Sequence, residues 1–99
     1  MDNVYTMQEL KTALDPVFQE YGVRSAVLFG TYAKGCADRS SDVDILVDSG
    51  LRGLRFFGLL ESVSSALRVP VDLLDACQIE PGSRIEQEIQ ASGVRIYGE

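Results

Sequence analysis

The sequence predicts an α/β fold: a small mixed β-sheet of three to four strands with helices packed on one face. Three observations lead there. Short aliphatic runs at 26–29, 43–47 and 71–74 have strand length. They alternate with segments whose apolar residues recur every three or four positions, as on one helix face. Gly or Pro marks most of the junctions. With 99 residues, the chain is expected to form a single domain, 1–99, around one core.

Thr6 followed by Glu9 has the spacing of a capping box, and Met7, Leu10 and Leu14 continue it at helical intervals. Asp15-Pro16 is expected to interrupt that helix and start a second short one, 17–21, closed by Gly22. The first strand, 23–29, ends apolar on both faces and so belongs inside the sheet. Gly30-Thr31 breaks it and opens a helical turn over 32–35. A polar loop, 37–41, leads into the second strand, 42–47. The longest helix, 51–67, is expected to bury Leu54, Phe57, Leu60, Val63 and Leu67, and 69–74 makes a third strand. After Pro81-Gly82 comes a last helix, 83–91, with Ile85 and Ile89 on one face. Gly93 closes it, and 94–97 adds a short terminal strand.

Charge and composition exclude several functions. The net charge of −6, from 15 acidic and 9 basic residues, repels phosphate backbones, so direct nucleic-acid binding is not expected. There is no histidine, which rules out a histidine base, and Cys36 and Cys77 form no C-x-x-C pair, which argues against zinc. Both cysteines read as reduced, in the core or near the surface. No apolar run has the length to cross a bilayer, and the opening residues lack a secretory pattern, so no membrane association and a cytoplasmic location are expected.

The chemistry sits in two stretches. In the strand Asp42-Val43-Asp44-Ile45, alternation puts Asp42 and Asp44 on one face, roughly 6–7 Å apart, while Val43, Ile45 and Val47 face the core. Two such carboxylates repel unless a hard cation such as Mg²⁺ sits between them. Asp72, between Val71 and Leu73, joins the same surface if its strand pairs with the second. Three carboxylates are enough for two metal ions clamping an in-line phosphoryl displacement. Gly30 at a strand end lets a phosphate approach the backbone, and the turn after it offers N–H groups to an anion. Thr31 adds a hydroxyl, and Lys34 a cation one turn on.

Each feature has a plainer reading. Asp42 and Asp44 alone would be solvated surface, Gly30 a turn, Thr31 a helix cap and Lys34 a solvated side chain. An EF-hand fails because Leu46 holds a ligand position and the loop glycine is missing. A P-loop fails because Cys36 and Ala37 replace its Lys and Ser/Thr. Only the joint spacing, with Asp72 in a strand that disfavours Asp, points to a site for nucleotide and metal.

Gly30-Thr31, ten residues, then Asp42-Val43-Asp44 resembles the signature of the DNA polymerase β-like nucleotidyltransferase superfamily. The text from Leu28 to Gly35, from Ser41 to Val47, over Val71-Asp72-Leu73-Leu74 and at Val94-Arg95-Ile96-Tyr97 is similar to the minimal nucleotidyltransferases. These are the antitoxins of HEPN–MNT toxin–antitoxin pairs. The resemblance implies a palm-like fold, Asp42, Asp44 and Asp72 as catalytic metal ligands for Mg²⁺, and Gly30 and Thr31 holding the triphosphate of ATP. Thr31 stands where that family usually has serine, and Lys34 where arginine is common. The implied activity is transfer of AMP from ATP to a hydroxyl, a tyrosine of a cognate HEPN toxin. Two alternatives come from other classes: an antitoxin acting by contact alone, and a transferase acting on a small molecule.

Overall fold

The computed structural model describes residues 4–38 and 40–98. The readings of the opening residues 1–3 and of Arg39 in the polar loop lie outside them. Seven elements and a 3₁₀ turn follow in order: α1 (Met7–Tyr21), β1 (Ser25–Phe29), β2 (Val43–Asp48), α2 (Leu54–Leu67), β3 (Val71–Asp75), the turn Ala76–Gln78, α3 (Arg84–Ser92) and β4 (Val94–Gly98). The sheet runs β3-β2-β1-β4. β1 is antiparallel to both β2 and β4, whereas β2 and β3 are parallel. That parallel pair requires a crossover, which α2 supplies. The expected mixed sheet of three to four strands is therefore present with four, and β1 is interior.

α1 starts where its capping box places it. Thr6 Oγ1 accepts from the Glu9 N–H at 3.1 Å, and the Thr6 N–H donates to Glu9 Oε1 at 2.8 Å. Contrary to the sequence reading, Asp15-Pro16 does not divide it. Pro16 removes only the N–H that would bond the Thr12 carbonyl, and both residues lie on the exposed side, open to solvent. Asp15, instead of capping, accepts from Gln19 Nε2 at 3.0 Å along the same helix. Gly22, at φ 69°, closes it in the left-handed conformation.

α2 corrects a second expectation. It begins at Leu54 rather than Leu51, because Gly50 (φ 71°) and Gly53 (φ 60°) hold the preceding chain in a left-handed path. Leu54 and Phe57 are 88% and 56% exposed. The buried row is Leu59, Val63 and Leu67, joined by the partly buried Phe56 and Leu60. The segment from Leu54 to Leu60 is apolar at adjacent positions and fits two helical registers. The one that buries Leu59, Val63 and Leu67 has the four-residue spacing of Leu10, Leu14 and Phe18 on α1, against which α2 packs. Tyr21 and Ser62 share a hydrogen bond of 3.1 Å across that seam.

The two long helices cover the sheet face made by Ala26, Leu28, Val43, Ile45, Val47 and Leu73. Each of the Val, Leu and Ile side chains among them contributes about 1.5–3 kcal/mol by leaving water. The opposite face carries Val27, Asp44, Leu46 and Asp72. Contrary to the expectation of helices on one face only, α3 meets β1 from this side, where a Cβ at Gly93 would come within 2.9 Å of Val27 Cγ1. At the far end of the sheet, buried Asp75 accepts from the Ser49 hydroxyl (2.5 Å), the Ser49 N–H (3.1 Å) and the Cys77 N–H (3.0 Å). Burial pushes the Asp75 carboxyl up, but these donors outweigh it and hold it below the usual range. Cys36 and Cys77 are free and exposed.

Candidate active site

Register assembles the carboxylates. In the parallel pair, Asp44 of β2 lies opposite Asp72 of β3, with Val43 opposite Val71 and Ile45 opposite Leu73. Neighbouring strands are about 4.8 Å apart, so the two acids are adjacent on the face away from the core. Asp42 stands one residue ahead of β2, where the Val43 N–H donates to the Pro70 carbonyl at 3.0 Å. Asp42 and Asp72 are exposed and Asp44 is half-buried.

Asp44 carries the electrostatic strain of this surface. Burial, followed by the charges of Asp72, Asp42 and Glu88, pushes its carboxyl up to about 6. A divalent cation relieves such repulsion, and an all-oxygen donor set suits Mg²⁺. Among the described residues, no three acidic or cysteine side chains close into a ready-made cage. The aspartates thus share a surface without enclosing an ion. Water and phosphate oxygens would have to complete the coordination shell.

Gly30 supplies the floor. Its φ of 76° is a left-handed conformation, and a Cβ there would collide with the Asp44 carboxylate, its Cγ only 3.2 Å away. Glycine brings the backbone against the acid with nothing between. The chain then coils: the Lys34 N–H donates to the Gly30 carbonyl at 3.1 Å and the Cys36 N–H to the Thr31 carbonyl at 3.0 Å. The first N–H groups of such a turn have no acceptor within it. Thr31 is exposed at its start, while Tyr32 turns into the core. Lys34 is not free: its Nζ pairs with Glu88 Oε2 of α3 at 3.6 Å. Sequence reasoning missed Glu88, since nothing in α3 itself tells which strand it lies against.

A broad cleft of about 1120 Å³ lies elsewhere, between α1 and the ends of β1 and β4. Lys11, Arg24, Asp48 and Arg95 line it, and it holds none of the expected site residues. The acids instead occupy an open shelf.

The family model described as polymerase beta nucleotidyltransferase matches residues 12–99. The protein adenylyltransferase MntA of Thermococcus cleftensis is 35% identical over 85 residues, covering 78% of this chain and 84% of that protein. A toxin–antitoxin crystal structure with AMP-PNP superposes with a TM-score of 0.76 at 25% identity, covering 90% of this chain and 73% of the other. A structure of a tri-AMPylated Shewanella oneidensis HEPN toxin in complex with its MNT antitoxin gives a TM-score of 0.72, covering 95% and 74%; at 21% identity that likeness is one of fold. Gly30 against Asp44, Asp44 beside Asp72, and a family match over most of the chain agree: this chain belongs to the polymerase β-type nucleotidyltransferases.

Proposed function

We propose that this chain is a protein adenylyltransferase antitoxin: it moves AMP from ATP to a tyrosine hydroxyl of a cognate HEPN-type toxin in the cytoplasm and thereby silences it. The observation that carries the reading is the register that sets Asp44 beside Asp72 directly over Gly30. Relatives of this chain are named protein adenylyltransferases, which agrees.

Asp42, Asp44 and Asp72 would hold Mg²⁺, two ions in all, and Gly30, Thr31 and Lys34 the triphosphate. Bound Mg²⁺ supplies neutralisation of the phosphate charge. Gly30 lets the phosphates approach the backbone, and Thr31 donates its hydroxyl to a phosphate oxygen. Asp72, the more exposed of the paired acids, faces the incoming acceptor and takes the proton from its hydroxyl. The acceptor oxygen bonds to the α-phosphorus, the bond from that phosphorus to the bridging oxygen breaks, and pyrophosphate leaves. Positioning and charge account for the rate.

Mass spectrometry of the partner toxin after incubation with catalytic amounts of this chain, ATP and Mg²⁺ tests the proposal. One or more added AMP groups are expected, and none with the Asp42→Ala/Asp44→Ala variant. Protection of cells by that variant, in proportion to its amount and with no added mass, would establish neutralisation by contact instead.

A further inference from the structure

We propose that Glu88 of α3 is a positioning residue that competes with the nucleotide for Lys34, so that ATP must displace an internal carboxylate to engage that cation. The inference rests on the nucleotide site proposed above and adds a residue that neither the motif nor its spacing includes.

The pair joins two separate elements of the fold. Glu88 rides on α3, whose closing residue Gly93 leaves no room for a Cβ against Val27 and the Ile89 carbonyl. Lys34 stands on a turn held by its own backbone bonds, with a long flexible stem and half its side chain in water. Their contact, at 3.6 Å with both side chains partly exposed, is of the weak and exchangeable kind. A triphosphate carries more charge than one carboxylate and takes the ammonium when it arrives.

The exchange then leaves Glu88 unpaired at the rim of a surface that already holds Asp42, Asp44 and Asp72. Nucleotide binding therefore includes the loss of one ion pair and the exposure of one more negative charge. Glu88 thereby raises the nucleotide concentration at which Lys34 is recruited.

A double-mutant cycle tests this, with ATP binding measured by titration calorimetry at saturating Mg²⁺ on the wild type, Glu88→Gln, Lys34→Ala and the double variant. Both side chains are partly exposed, so the fold is expected to persist, and thermal melts verify it. Glu88→Gln is expected to bind ATP about two- to five-fold more tightly. In the Lys34→Ala background the same change should give little or no gain, because there is no cation left to release. An equal gain in both backgrounds would show that Glu88 acts only through its charge on the whole surface, and would overturn the proposal. No change, or weaker binding, in Glu88→Gln would overturn it too. A wild type that binds no ATP with Mg²⁺ removes the nucleotide site and this inference together; one that binds without coupling between the two positions removes only the role of Glu88.

Discussion

Asp44→Asn should stabilise the metal-free protein, and by an amount that depends on pH. The Asp44 carboxyl is pushed from an ordinary 3.8 to about 6 by burial and by Asp72, Asp42 and Glu88. The sign follows from linkage. Below pH about 4 the group is protonated in folded and unfolded chains alike and costs nothing. Between about 4 and 6 the unfolded chain releases the proton while the folded chain keeps it, so stability falls as pH rises. Above about 6 the loss is complete. An undiscounted shift of this size is worth about 3 kcal/mol. Because the carboxylate keeps contact with water, about half of that, ~1–1.5 kcal/mol, is the reasonable expectation. Asparagine keeps the shape and never ionises. In EDTA its melting temperature should exceed the wild type's by about 4–12 °C at pH 7.5, with the gap about half developed at pH 5. ATP with Mg²⁺ should narrow the gap, because ligation favours the ionised wild type. A gap that stays constant between pH 5 and 7.5, or a variant less stable at pH 7.5 in EDTA, would refute the account of Asp44.

Gly30→Ala must bear both a left-handed φ and a methyl on the Asp44 carboxylate. It should cost about 1–3 kcal/mol in urea unfolding and lower AMP transfer at least ~100-fold by displacing the acid. Asp38→Asn is the control in the preceding loop: Asp38 is exposed and bonded to Ser40 and Ser41, and ATP affinity by calorimetry should stay within about two-fold. Asp75→Ala leaves the buried Ser49 hydroxyl and N–H without their acceptor and should cost about 2–4 kcal/mol in chemical denaturation. The Asp75 contribution in the wild type is present above pH about 4 and is lost as pH falls through its lowered native value.

Local signals carried much of this structure because they are short in range. The Thr6–Glu9 box, the Gly22 cap and the alternation through Val43-Asp44-Ile45 each involve a few neighbouring residues, and all appear in the fold. Asp44 and Asp72 share a face because strand alternation depends only on the backbone, whereas Asp42 stands one residue ahead of β2. Whether Asp72 stands beside Asp44 depended on pairing, which the sequence left conditional and the parallel register supplies. The misreadings have tertiary causes. Pro16 fits inside α1 because that side of the helix is wet, and α2 had two apolar registers until α1 selected one. Asp75 in its ring of donors and Glu88 beside Lys34 are contacts over 26 and 54 positions, and no spacing rule reaches that far.

The acids lie on a shelf at the β2–β3 side of the sheet, and β3 is its last strand. Asp42, Asp72, Thr31 and Lys34 all remain in contact with solvent. An activated phosphate held in so open a place would meet bulk water as well as an acceptor hydroxyl. Discrimination by a closed chamber is therefore not available from the described residues, and the acceptor has to bring its own roof. A protein acceptor, as proposed above, would cover the shelf while presenting one hydroxyl and so exclude water at the moment of transfer. A dissolved sugar or drug would leave the nucleotide wet on several sides, and wasteful hydrolysis would compete with its modification. For the protein acceptor proposed above, the same openness would spare it from being threaded or bent to fit, so that a surface side chain could reach the phosphorus as it stands.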